Sequence, residues 1–136
     1  MGKFIRNWVI VFVLQFILTL LWHTVIFVSQ YTTHLSGIAT YVDGKPTPLI
    51  PFFILAHIIA TLGSVLYIPR AANSKREYVW HGVIMGIVTF GMFAILSHAL
   101  FANWTLWLMG MDLSFGILAG AITGLALAYL QPKPQM

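Results

Sequence analysis

Four apolar stretches, each about as long as a bilayer is thick, fill most of this chain, and each carries an ionisable residue toward the same predicted side of the membrane. A helix needs about 20 apolar residues to cross a ~30 Å hydrocarbon core. The runs at about 8–29, 48–68, 78–101 and 105–130 meet that length. These residues are His23, His57, His98 and Asp112. A charged side chain at mid-bilayer costs roughly 2.5–3.5 kcal/mol or more, so each must face a partner, a cavity or a ligand.

Composition points the same way. Only 7% of the 136 residues are charged, 60% are hydrophobic and the mean hydropathy is +0.90. A soluble surface needs about 25% charged residues, so the expected fold is an all-α, polytopic membrane protein. Its four transmembrane helices form two antiparallel hairpins, a single four-helix bundle over 1–136. β-barrel strands would alternate in polarity over about ten residues, and these runs are continuous. Cysteine is absent, which removes disulfides, thiolate metal sites and cysteine nucleophiles.

The formal charge of +4 reads as topology. Lys3, Arg6, Arg70, Lys75, Arg76 and Lys133 fall on one side of the predicted bundle and Lys45 on the other. By the positive-inside rule both termini are cytoplasmic, and a bacterial inner membrane is the expected location. The basic residues are too few and scattered for nucleic acid. The first run is longer than a signal-peptide core and no small-residue cleavage pattern follows it, so it reads as an uncleaved span. Arg6 stands where a myristoylation signal wants Ser or Thr. Trp8, Tyr78, Trp80 and Tyr129 on the inner side, with Trp22, Tyr31, Trp104 and Trp107 on the outer, read as aromatic belts. Asp43-Gly44 and Lys45-Pro46 signal turns, with Tyr41 as an interfacial anchor between them and span one.

At 1.5 Å rise per residue, His23, His57, His98 and Asp112 all fall within roughly 5–14 Å of the outer boundary. Each also shares a helical face with polar or small residues three or four positions away. Gln15, Thr19 and His23 form one such stripe, and His57, Thr61 and Ser64 another. Gly91, Ala94 and His98 share a side of span three, and Asp112 aligns with Gly116, Gly120 and Gly124. Three imidazoles and a carboxylate suit a transition metal such as zinc, copper or iron; two histidines suit a haem or pigment. The same groups also suit structural hydrogen bonding between helices, with Asp112 paired to an imidazole, or a proton or ion pathway. His34 and His81 read as solvated and interfacial. The repeats Gly82-x-x-x-Gly86 and Gly116-x-x-x-Gly120-x-x-x-Gly124 predict close helix packing. Leu20-Leu21-Trp22-His23 and Ile95-Leu96-Ser97-His98 hint at a parallel repeat of hairpins. No nucleophile elbow or phosphate loop is present.

The segments Ala102-Asn103-Trp104-Thr105-Leu106 and Met111-Asp112-Leu113-Ser114-Phe115-Gly116, with Leu21-Trp22-His23 at the end of span one, resemble small bacterial four-span membrane proteins of the domain-of-unknown-function type. The resemblance implies the four-span fold and carries no activity with it. With so little mass outside the membrane, the expected role is a non-catalytic accessory subunit of a larger membrane complex, its partners being lipid and other subunits or copies of itself. The alternatives are a metal-, haem- or pigment-binding protein using the outer His/Asp cluster, and a small oligomeric transporter.

Overall fold

The computed structural model describes residues 1–35, 41–42, 45–46, 49–101 and 103–131, with the backbone alone described at 41–42 and 45–46. The Asp43-Gly44 turn, Pro48, Lys133 and the side chain of Tyr41 lie outside the described residues. The elements are α1 (Gly2–Leu20), continued by a π-helical segment (Leu21–Ile26), then α2 (Val28–His34), β1 (Tyr41–Val42), β2 (Lys45–Pro46) and α3 (Ile50–Ala71). Next come α4 (Lys75–Gly86), a second π-helical segment (Ile87–Gly91), α5 (Met92–Leu100) and α6 (Leu106–Leu130). The two short strands pair antiparallel, Tyr41 opposite Pro46 and Val42 opposite Lys45.

Four helical stretches are long and apolar enough to cross a membrane: Gly2–Ile26, Ile50–Ala71, Lys75–Leu100 and Leu106–Leu130. Their ends have local causes. Pro51 sits in the first turn of α3, where a missing N–H is harmless. Pro69, expected to end that span, lies inside the helix, which runs on to Ala71. Ser74 caps α4 by accepting from the Glu77 N–H, and the Glu77 carboxylate accepts from the Asn73 N–H at 2.7 Å. This near-reciprocal cap starts span three three residues before the expected Tyr78. Thr105 caps α6 by accepting from the Leu108 N–H at 3.2 Å.

Both π segments share a local sequence feature. Thr24-Val25-Ile26 and Ile87-Val88-Thr89 are β-branched trios. In each the threonine hydroxyl donates to a carbonyl four residues back: Thr24 to Leu20 at 2.7 Å and Thr89 to Met85 at 2.8 Å. Such back-bonding competes with the helical ladder and bends it. Phe27 then leaves helical geometry (φ −116°, ψ 23°) before α2 begins.

Span four is the most enclosed: 39% of its most apolar window is buried, against 17–22% for the other three. It packs against spans one, two and three. Its tightest partner is α4, and glycine explains why. A methyl group on Gly82 would overlap the Gly120 carbonyl oxygen, one on Gly86 the Gly116 carbonyl, and one on Gly124 the Tyr78 carbonyl. The two backbones touch along Gly82, Gly86, Gly116, Gly120 and Gly124, the close approach that small residues allow in lipid. At the end carrying both termini, Val11, Val65, Ile68 and Leu127 form a dry cluster with Trp8, Tyr78 and Met85 against it. Arg6 ties the two termini, donating to the Leu130 carbonyl at 3.2 Å. The opposite, loop-bearing half holds a second cluster, Tyr31, Leu108 and Met111, flanked by Trp22, Phe27 and Trp104.

Candidate functional site

The polar residues of span one repeat every fourth position, so they form one stripe along its buried side. Asn7, Gln15 and Thr19 are at most 5% exposed, and Val11 interrupts them at 0%. His23 continues the stripe inside the π segment. Span two answers with buried His57, Thr61 and Ser64, and span four with Asp112 and Thr123. Bonds link them across helices: Gln15 Nε2 donates to Thr123 Oγ1 at 2.9 Å, and the Trp8 indole N–H to Thr61 Oγ1 at 3.1 Å.

In the loop-bearing half the stripe ends in a connected cluster. The Tyr31 hydroxyl donates to Asp112 Oδ1. His23 Nε2 lies 3.5 Å from that same oxygen. His23 Nδ1 bonds the Thr19 carbonyl at 2.8 Å, and His57 Nδ1 bonds the Phe53 carbonyl at 2.9 Å. A carbonyl oxygen only accepts, so both Nδ1 atoms carry protons. In the neutral ring, Nε2 is then an acceptor. His57 Nε2 meets Thr19 Oγ1 at 2.9 Å, but that hydroxyl also lies 2.8 Å from the Gln15 carbonyl and has one proton for the two. His23 Nε2 faces the same carboxylate oxygen that accepts from Tyr31.

A cavity of about 340 Å³ opens beside this cluster, between the outer parts of α3 and α5. Thr19, His23, His57 and Asp112 line one side. Phe53, Phe90, Phe93 and Phe115 supply phenyl rings, and Ala56 and Ala60 leave the space open. Phe93 and Ala56 are also exposed on the outside of the helices, so the mouth faces laterally, toward hydrocarbon in a membrane. Both π segments contribute: His23 from the first, Thr89 and Phe90 from the second. Widened helical turns of this kind recur at functional sites.

His98 does not join the group. Its Nδ1 bonds the Trp104 carbonyl at 2.6 Å, holding the link between spans three and four, and it is not among the cavity residues. Its helix presents Ala94 and Ser97 inward instead. Among the described residues no group of three or more His, Cys, Asp or Glu side chains is placed to hold a metal ion. The aromatic belts also need revision. Trp80, Trp107 and Tyr129 are exposed, but Tyr31 is 4% exposed and points into the cluster. Trp22 packs on Phe27 and Phe115, and Trp22 and Trp104 bury their indole nitrogens without a partner. His81, at the terminal end, meets the Tyr67 hydroxyl at 3.1 Å.

Tyr31 and Thr19 are the participants that reading the sequence assigned elsewhere or left in a stripe. The break at Phe27 turns Tyr31 back onto span four, and no Gly or Pro marks it. The β-branched trio before it is the local signal.

No curated protein and no solved structure matches the chain. The profile of one family, described as "Predicted membrane protein (DUF2177)", matches residues 4–129. That match spans all four apolar helices, the break at Phe27 and every residue of the polar cluster, and the chain belongs to this family of integral membrane proteins.

Proposed function

We propose that the protein binds a small lipid-soluble molecule in its lateral cavity, with the molecule's polar group against the His23, His57 and Asp112 cluster. The observation that carries this reading is the pairing of a buried carboxylate and two imidazoles with a phenyl-lined cavity. Intramembrane ionisable groups mark sites by default because their burial is costly. A pocket that is mostly apolar with a few convergent polar groups is the usual form of a small-molecule site. An accessory subunit that served only as scaffold would have no use for such a space, so the accessory role becomes one of ligand handling within the membrane. The bias of basic residues toward one side supports cytoplasmic termini in a bacterial inner membrane.

Photolabelling tests the reading. An alkanol bearing a diazirine, irradiated with the protein in lipid nanodiscs, is expected to mark Phe53, Thr89 and Phe93. Ala60→Trp, which fills the cavity, should remove those adducts while leaving labels on lipid-facing positions such as Ile17 and Ile117. Labelling spread evenly over the lipid-facing surface, or unaffected by Ala60→Trp and Ala56→Trp alike, would overturn it.

A further inference from the structure

We propose that the hollow at the start of α4 binds the phosphodiester of an anionic phospholipid, held by Arg76 and Ser74, with Trp80 packed against the lipid's glycerol and upper chains. This site is separate from the lateral cavity and does not depend on it.

Charge at the terminal end is lopsided. Among the described residues Lys3, Arg6, Arg70, Lys75 and Arg76 share that end with a single carboxylate, Glu77. Three of these cations are already committed. The Arg6 guanidinium donates to Asn7 Oδ1 and to the Leu130 carbonyl. Arg70 Nη1 donates to the Leu66 carbonyl at 3.0 Å, and Lys75 Nζ lies 4.2 Å from the centre of the Tyr129 ring. Arg76 is exposed and makes no such contact with any described residue. Its guanidinium keeps its N–H donors in a planar fork, the shape that takes two phosphate oxygens at once. Lys3 is uncommitted as well, but it is a point charge and is not among the residues that line the hollow.

The hollow supplies the other contacts. It is an open space of about 770 Å³ lined by Ser74, Arg76, Glu77, Val79 and Trp80, within the ~300–1,000 Å³ range of ligand pockets. Ser74 Oγ accepts from the Glu77 N–H at 3.3 Å, which leaves its own proton to donate. The Glu77 carboxylate, the one anionic group on the wall, accepts from the Asn73 N–H at 2.7 Å.

Depth decides between a lipid and a free anion. Trp80 lies one helical turn past Arg76 on the same face, about 6 Å further into the span. It is 62% exposed, and an exposed indole near the end of a span sits at headgroup level. Arg76 then stands at the phosphate level of the same leaflet. A free phosphate would use the guanidinium and leave Val79 and Trp80 without a partner; a phospholipid uses both. A zwitterionic lipid offers the same phosphate but adds an ammonium that the cations of this end repel. The preference is therefore for a headgroup with net negative charge, the kind that basic clusters at the membrane surface attract.

Native mass spectrometry of the purified full chain in detergent, titrated with dimyristoyl phosphatidylglycerol or dimyristoyl phosphatidylcholine, tests the site. The acyl chains are identical, so only the headgroup differs. Phosphatidylglycerol is expected to bind about fivefold more tightly. Arg76→Gln should remove most of that preference. Lys3→Gln removes the same charge from the same end and should keep it. Glu77→Gln retains a side-chain carbonyl for the Asn73 N–H and should tighten phosphatidylglycerol binding. Equal retention of the two lipids, or an equal loss in Lys3→Gln and Arg76→Gln, would overturn the proposal and leave only diffuse attraction to the basic end. A Glu77→Gln chain that binds phosphatidylglycerol no more tightly would place the phosphate away from the hollow and overturn it too. Inorganic phosphate that displaces phosphatidylglycerol at comparable concentration would overturn the lipid in favour of a free anion. Photolabelling of the lateral cavity reads a different site, so either proposal can fail alone.

Discussion

Tyr31 reaches across 81 positions of sequence to donate its hydroxyl proton to Asp112, and that bond fixes both the carboxylate and the short helix α2. A buried hydrogen bond to a charged group contributes roughly 1.5–3 kcal/mol. Tyr31→Phe keeps the ring packed against Leu108 and Met111 and removes only the donor. The expected outcome is a loss of stability of about that size, read as a lowered thermal midpoint in detergent. Asp112→Asn should also destabilise, and the double variant should lose less than the sum of the two, because the partners share one interaction. Strict additivity in that cycle would mean that the contact carries no energy. At this scale the sequence was partly legible. The rule that an ionisable group in a span needs a partner picked out His23, His57 and Asp112. It also picked out His98, whose position near a helix end lets it serve the adjoining link instead. Tyr31 was read as a belt aromatic because it follows the first apolar run, and nothing in its own identity reveals which way the chain turns at Phe27.

Between elements, the contact of α4 with α6 gives the sharpest contrast in what a single methyl group does. At Gly86 the added methyl would meet the Gly116 carbonyl, and at Gly120 the Gly82 carbonyl. Backbone cannot yield as a flexible side chain does, so the helices must part, and overpacking of this kind costs about 1–3 kcal/mol. At Gly110 nothing lies within 4 Å of the added methyl. There alanine's better helix propensity, up to about 1 kcal/mol over glycine, is the only expected effect. Gly86→Ala and Gly120→Ala should therefore lower the unfolding midpoint in a denaturant series, while Gly110→Ala should leave it unchanged or raise it. Equal effects at all three would remove backbone contact as the explanation. The four-residue spacing made these glycines readable, since residues four apart stack on one helix face. No comparable rule exists for the π segments, because a β-branched trio with a back-bonding threonine is also common in regular helix. Their effect emerges only where they widen the turns around His23 and Phe90.

Across the whole molecule, polarity is unevenly distributed along the bundle axis. The loop-bearing half contains the carboxylate, both imidazoles and the cavity, and the half with the termini is closed by Val11, Val65, Ile68 and Leu127. The cavity thus lies toward the loop end, and which aqueous compartment that end faces decides the side of the membrane on which it sits. The basic residues supply a prediction, since Arg70, Lys75 and Arg76 crowd the connection between spans two and three, and such clusters are retained on the cytoplasmic side. The absence of cysteine makes the test direct, because any engineered thiol is the only one present. Asn73→Cys sits in the exposed connection at the terminal end, and Asn103→Cys in the exposed link at the loop end. In intact cells a membrane-impermeant maleimide should modify Asn103→Cys and spare Asn73→Cys, and permeabilisation should make Asn73→Cys reactive. The reverse pattern would place the termini outside and turn the cavity half toward the cytoplasm. The fold and the lateral cavity would stand, but the cavity would lie toward the opposite side of the membrane.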